Sequence, residues 1–315
     1  MTLHIRPGLF TLALCASAAI VPTVQADVAE QCQTVRFSDP GWTDIGVTNA
    51  LTSTVLEGLG YQTEVKLLAV PIGFQALTTN EIDVFLGNWM PAQQGFFDEY
   101  RDGFDQLGAN LEGAKFTLAV PQFVQDAGVE SFADLAAYGD EFDHQIYGIE
   151  PGAPANESIQ SMIDSDDFGL NDWELVESSE QAMLNQVGRQ VRGDNFIVFL
   201  AWEPHPMNIR FDLAYLSGGD DYFGANYGGA TVYTLTRKGY SDDCANVGQL
   251  LANLEFGLDM ESGIMGTVLS GDADADTAAR DYLKQHPEVL AGWLDGVETV
   301  DGEPGLPAVR AALGL

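Results

Sequence analysis

Short apolar runs alternate with longer stretches of helical period along most of the chain. Strand-like runs fall at 34–37, 63–68, 82–86, 115–120, 145–149, 173–176, 195–200, 212–216 and 231–236. Between them, apolar positions recur at helical spacing over 45–59, 71–77, 131–137, from Asn156 onward, and 178–189. Gly60 stops the first of these helices, Pro71 opens the second, and Ser131 and the Ser178-Ser179 pair supply caps. After residue 243 the pattern turns mostly helical, at 244–256, 259–268, 276–285, 288–294 and 306–313. Alternating strands and helices predict an α/β fold with mainly parallel strands covered on both faces. The units are too many for one small sheet, and 315 residues leave room for two lobes. The expected first lobe takes both ends of the chain, residues 27–117 and 228–315, and the second takes residues 118–227. The crossing segments are expected near 115–120 and near the Gly-rich loop 218–229.

The first 26 residues read as a leader. Arg6 supplies positive charge, and the apolar run 8–21 is too short for an ordinary membrane-spanning helix. Val24-Gln25-Ala26 places compact residues at the cleavage positions, so cleavage is expected after Ala26. Leu12, three residues before Cys15, raises a lipoprotein signal, but Leu14 directly before the Cys is too large for one. The expected location is outside the cytoplasm. Cys32 and Cys244 then remain, and two Cys in an exported chain read as one disulfide. That bond would hold the N-terminal segment and the region of residue 244 in the same lobe.

Charge removes several partner classes. There are 47 acidic residues against 13 basic ones, a formal net charge of −34. Nucleic acid and anionic membrane surfaces both need clustered Lys and Arg, so neither is expected as a partner. An acidic shell keeps a protein soluble. It also attracts cations over a range that salt limits to about 10 Å at 0.1 M.

Signatures of enzymes are thin. There is no nucleophile elbow, Walker loop or Rossmann glycine fingerprint. His144, His205 and His286 show no metal-ligand spacing, and His205 between Pro204 and Pro206 reads as structural. Asp272, Asp274 and Asp276 start like a calcium loop, but Thr277 stands where its Gly belongs and Leu283 where its closing Glu belongs. That run reads as the acidic start of a helix. No catalytic residue, metal or cofactor is expected. An exported hydrolase built on a carboxylate pair such as Asp44 and Glu203 is the remote enzymatic alternative.

The positive signal is aromatic. Of five Trp residues, Trp42, Trp89 and Trp202 sit at the ends of apolar strand runs and close to Pro. Trp173 and Trp293 have apolar neighbours and read as core. Strand ends are where open α/β sheets bind ligands. Flat π faces beside Asp44 suit an organic cation. A trimethylammonium group carries no N–H, so hydrogen bonds to its nitrogen are impossible, and an aromatic enclosure meets both its apolar surface and its charge.

Five motifs occur in order: F-S-D-P-G-W-T-D (37–44), F-L-G-N-W-M-P (85–91), Y-G-I-E-P-G (147–152), V-E-S-S-E-Q-A-M (176–183) and W-E-P-H-P-M-N (202–208). Together they resemble the choline-binding proteins of bacterial ABC importers, within the larger glycine betaine/proline-betaine substrate-binding family. The resemblance spans essentially the whole chain after the leader. It implies a monomeric, periplasmic, two-lobed binding protein of type II that closes on its ligand and delivers it to a membrane permease. It further implies that Trp42, Trp89 and Trp202 are walls of an aromatic box, that Asp44 is the acidic partner, and that Asn156 contacts the choline hydroxyl. Phe116 stands where the choline binders have a Tyr as fourth wall, so the π face is kept and the phenol lost. Choline, a hydroxylated cation, suits Asp44 and Asn156, whereas the carboxylate of glycine betaine would meet Asp44. Backbone N–H groups near 151–156 leave betaine open, trimethylamine N-oxide also fits an aromatic box, and a receptor that signals rather than transports would share the same binding physics.

Overall fold

The computed structural model describes residues 1–2 and 30–315. The expected leader, its cleavage position and Cys15 lie outside the described residues, apart from the first two. The strands are β1 (Thr34–Asp39), β2 (Gln62–Leu67), β3 (Val84–Met90), β4 (Phe104–Pro121), β5 (Gln145–Tyr147), β6 (Glu174–Val176), β7 (Val198–Glu203), β8 (Leu213–Tyr215) and β9 (Gly229–Arg237). They follow the order β2-β1-β3-β9-β4-β7-β5-β6, with β8 also on β4. Strand and helix alternate as the apolar pattern predicts, in two α/β lobes.

Within each lobe the outer strands are parallel: β1 with β2 and β3, and β5 with β6 and β7. The strands between them pair antiparallel, β3 with β9, β9 with β4, and β4 with β7 and β8. Topology explains the change of direction. The chain leaves the first lobe on β4 and returns on β9, so the crossing strands must run in opposite senses. They also stitch the sheets of the two lobes into one hydrogen-bonded path. β4 pairs with β9 from Phe104 to Lys115, then with β7 from Lys115 to Ala119. We propose residues 117 and 228 as the limits between lobes, close to Lys115, where β4 exchanges β9 for β7, and to Gly229, where β9 begins.

β4 is 18 residues long, far beyond the apolar run 115–120. Its first part slips register against β9 in three places. Each irregularity breaks the period of two by which a strand is recognised, so residues 104–114 give no strand signal of their own.

The helix Thr43–Gly58 is the pillar of the first lobe, buried on nearly every side. The later helices Leu258–Ser270, Ala275–Gln285 and Gly305–Leu313 pack against it. The C-terminal helices therefore pack beside the segment that follows β1, and Cys32 is bonded to Cys244 with their Cα atoms 5.5 Å apart. Fully buried Asp83 receives Arg36 at 2.7 Å and Arg237 at 3.0 Å, joining β1 to β9. A buried carboxylate is tolerable when guanidinium groups satisfy it in this way.

Trp173 and Trp293 are core residues, packed on Phe142 and Phe256 with ring centroids 5.6 Å apart in each case. Asp274 caps the helix Ala275–Gln285, accepting the Thr277 N–H at 2.8 Å. The acidic run 272–276 is thus a helix start.

Candidate functional site

Three elements of the first lobe and three of the second converge on one cavity. Its lining includes Trp42, Asp44, Trp89, Gln93, Phe116, Ala153 and Trp202. The cavity measures about 50 Å³, room for a few waters or one compact organic group. All four aromatic rings are at most 9% exposed.

The turn after β1 sets Trp42 and Asp44. Asp39 accepts the Gly41 N–H at 2.7 Å, and Gly41 has φ +94°, a conformation natural only to glycine. The chain is thereby turned so that Trp42 precedes the helix and Asp44 lies in its first turn. Trp89 is the penultimate residue of β3, which stops at Pro91, a residue with no N–H for the ladder. Trp202 holds the equivalent place in β7, before Pro204. The apolar runs place both Trp residues just past the strands, whereas the ladders extend through them.

Phe116 and Trp202 are direct partners across β4 and β7, so their side chains leave the sheet on the same face. Phe116 also meets Trp89 edge to face, at 6.3 Å and 88°. Behind Phe116 the backbone of Gly228 comes so close that a Cβ would sit 1.8 Å from the Phe116 carbonyl oxygen. Only glycine fits there, and it seats the wall formed by Phe116.

The carboxylate of Asp44 lies behind the aromatic walls. Its Oδ2 accepts the Trp89 indole N–H at 3.2 Å, while Oδ1 is buried without a hydrogen-bond partner. Burial raises the Asp44 pKa to about 8, helped by the nearby charges of Glu180 and Asp39 and opposed by the Ile45 N–H and the Trp89 indole. Glu261, buried in the helix Leu258–Ser270, is raised well above the usual range by burial and then by Asp44.

Two glutamates of the second lobe clasp the same turn. Glu150 accepts the Trp42 indole N–H. Burial raises the Glu150 pKa, partly offset by that bond. Glu180 accepts the Thr43 N–H at 2.8 Å and the Thr43 hydroxyl at 2.6 Å. A helix start has free N–H groups and a favourable field for negative charge. Glu180 therefore caps, from across the cleft, a helix whose own preceding residue Trp42 offers no cap. His205 lies 3.0 Å from Glu180 through Nε2, and its Nδ1 accepts the Met207 N–H at 2.9 Å. The accepting Nδ1 leaves the ring proton on Nε2, aimed at Glu180. His205 also packs edge-on against Trp202, at 4.9 Å. It is structural, bracing one wall and one clasp.

Asn156 falls outside this lining. Its Oδ1 accepts the Ile149 N–H at 3.0 Å, and its Nδ2 donates to the carbonyls of Ile149 and Glu150 and to Glu177. The side chain is spent on holding the loop that carries Glu150. Ala153, three residues earlier and just before the helix Pro154–Asp164, lines the cavity instead. Glu203 is turned to Lys115 at 3.1 Å and is not part of the lining, so it makes no carboxylate pair with Asp44 there.

The sequence reading missed Gln93, Glu150 and Glu180. Glu150 and Glu180 stand in quoted motifs, but their partners are 108 and 137 residues away. Gln93 lies two residues past Pro91, where no pattern marks it.

Comparison with known proteins bears on the same residues. A solved structure described as an ABC-transporter choline binding protein in complex with choline superposes with a TM-score of 0.89 at 52% identity, over 91% of this chain and all of that one. An uncharacterized protein of Chromohalobacter salexigens is 53% identical over 131 residues, 41% of this chain and 84% of that protein. The glycine betaine/carnitine transport binding protein GbuC of Listeria monocytogenes serotype 1/2a is 32% identical over 167 residues, 52% of this chain and 54% of that protein. The family described as the substrate binding domain of ABC-type glycine betaine transport systems matches residues 33–285, which takes in every wall of the cavity, and the chain belongs to that family.

Proposed function

We propose that this protein captures choline in the aromatic cavity and delivers it to the permease of an ABC importer, working in the periplasm as a carrier with no catalytic role. One observation carries the reading: Trp42, Trp89, Phe116 and Trp202 line a single small cavity together with Asp44. Each cation–π contact with a desolvated cation contributes roughly 0.5–2 kcal/mol. Several such walls outweigh part of the cost of ordering and closure. Asp44 supplies the negative charge that a net cation needs and a zwitterion does not. Among the described residues, no Lys, Arg or His lines the cavity to receive a carboxylate. The choline complex of the 52%-identical protein supports the same ligand.

Asn156 enters this reading as a positioning residue, since its polar atoms are committed to the Ile149–Glu150 loop. The clasps from Glu150 and Glu180 are the contacts that hold the lobes shut. A second reading keeps glycine betaine or trimethylamine N-oxide as ligand. It rests on the raised pKa of Asp44, because a protonated carboxyl can donate to a ligand oxygen.

Isothermal titration with choline, glycine betaine, carnitine and trimethylamine N-oxide tests the proposal. Choline is expected to bind most tightly. Tighter binding of betaine or the N-oxide would transfer the assignment to the second reading.

A further inference from the structure

Among the described residues, two non-aromatic polar side chains line the cavity, Asp44 and Gln93, and each keeps one buried oxygen without a hydrogen-bond partner: Asp44 Oδ1 and Gln93 Oε1. Gln93 is fully buried. Its backbone N–H donates to the Trp89 carbonyl at 3.0 Å, which ties it to an aromatic wall. Its amide orientation is fixed, because Nε2 donates to the Gly87 carbonyl at 2.7 Å and a carbonyl can only accept. Oε1 is therefore the leftover atom, and it is an acceptor. A buried acceptor without a partner is costly, and a ligand donor relieves the cost.

We infer that Gln93 is a specificity-determining residue whose Oε1 accepts the hydrogen bond of a ligand hydroxyl. This rests on the reading that the cavity takes a quaternary ammonium compound. Such a compound has no N–H, so a hydroxyl is the only strong donor it can offer. Asp44 is engaged by Trp89 through Oδ2 and serves as counter-charge to the ammonium. A carboxylate or N-oxide at the same place would set lone pairs against the lone pairs of Oε1. The site thus discriminates by repulsion as well as attraction.

The test compares choline, its O-methyl ether and tetramethylammonium by isothermal titration. The ether differs from choline in lacking the hydroxyl proton. Wild type is expected to prefer choline over the ether by about tenfold, the effect of one buried hydrogen bond. Gln93→Met, which keeps the length and removes both polar atoms, should bring that ratio close to one. It should also weaken choline about tenfold more than tetramethylammonium. Asp44→Asn should weaken all three cations together and keep the ratio. A ratio near one in wild type, a ratio unchanged by Gln93→Met, or a ratio lost in Asp44→Asn would overturn the inference. The last outcome needs no Gln93 variant and would hand the hydroxyl to Asp44. Failure of wild type to bind choline and tetramethylammonium at all would instead remove the quaternary-ammonium reading, and this inference with it.

Discussion

Glu180 grips Thr43 with both carboxylate oxygens, one on the backbone N–H at 2.8 Å and one on the hydroxyl at 2.6 Å. By the proposed lobe limits the two residues belong to different lobes, and we propose that this pair exists only when the cleft is shut. Hydrogen bonds to a charged group contribute about 1.5–3 kcal/mol. Glu180→Ala should therefore weaken choline binding by about 10- to 100-fold through loss of the closed form. Small-angle scattering at saturating choline should show a smaller fraction of compact molecules than in wild type. Equal compactness and equal affinity would refute the clasp.

Asp44 ties ligand binding to stability and pH. Its pKa is about 8 in the folded protein, against about 3.9 in an unfolded chain. An acid whose pKa rises on folding holds its proton better in the folded state. Its contribution therefore turns destabilising as pH rises above about 4, and the full penalty stands above pH 8. The slope is at most about 1.4 kcal/mol per pH unit in that window. Asp44→Asn removes it. Without ligand, the variant should gain on wild type in thermal unfolding between pH 5 and pH 8.5. With choline at pH 8 the order should reverse, because the cation favours the ionised carboxylate. Parallel pH profiles for the two proteins would exclude this role.

Asn156 separates contact from positioning. It holds the Ile149–Glu150 loop through Oδ1 and Nδ2. Asn156→Ala strands several buried backbone groups, at about 1–3 kcal/mol for each one left unsatisfied. Choline and tetramethylammonium should lose affinity equally, since the damage falls on the loop and on Glu150. A loss confined to choline would instead show direct contact with the hydroxyl.

The aromatic lining of the cavity is legible in the sequence and the contacts of Glu150 and Glu180 are not, for physical reasons. Trp42, Trp89 and Trp202 announce themselves because each follows an apolar run that a nearby Pro punctuates, a local signal. Phe116 enters only through the resemblance, as the counterpart of a Tyr in the choline binders, and the β4–β7 register sets it opposite Trp202. Glu150 and Glu180 look like any solvated acidic residue in the sequence, and only the fold brings them to Trp42 and Thr43. Asn156 is hard to assign for a related reason: a side chain that holds a loop, as its bonds to Ile149 and Glu150 do, and one that touches a ligand use the same residue type at nearly the same position. The first part of β4 escaped because its register shifts erase the alternation.

Removal of the Cys32–Cys244 bond tests the discontinuous first lobe. The bond closes a loop with a sequence separation of 212 residues. Loop-closure entropy for so long a loop contributes roughly 3–5 kcal/mol in the chain-entropy model. Reduction, or Cys244→Ser, should lower the thermal midpoint without changing the affinity for choline, because neither cysteine lines the cavity. A fall in affinity at a temperature where the variant is folded would mean that the bond shapes the site itself.

Trp89 bears more of the site than any other wall. Its indole faces the cavity, meets Phe116 edge to face, and donates to Asp44. Trp89→Ala removes one cation–π contact, about 2 kcal/mol when desolvated, and leaves a buried carboxylate without its donor. Choline affinity should fall at least about 30-fold. Trp89→Phe keeps a π face and loses only the N–H, so its loss should be smaller. The control is Trp173, packed on Phe142 away from the cavity. Trp173→Ala should cost about 3–5 kcal/mol of stability and leave the affinity of the folded protein as it was. If the Trp89 and Trp173 variants lose affinity alike, the loss reflects general loosening of the fold, and the aromatic cage would have to be abandoned.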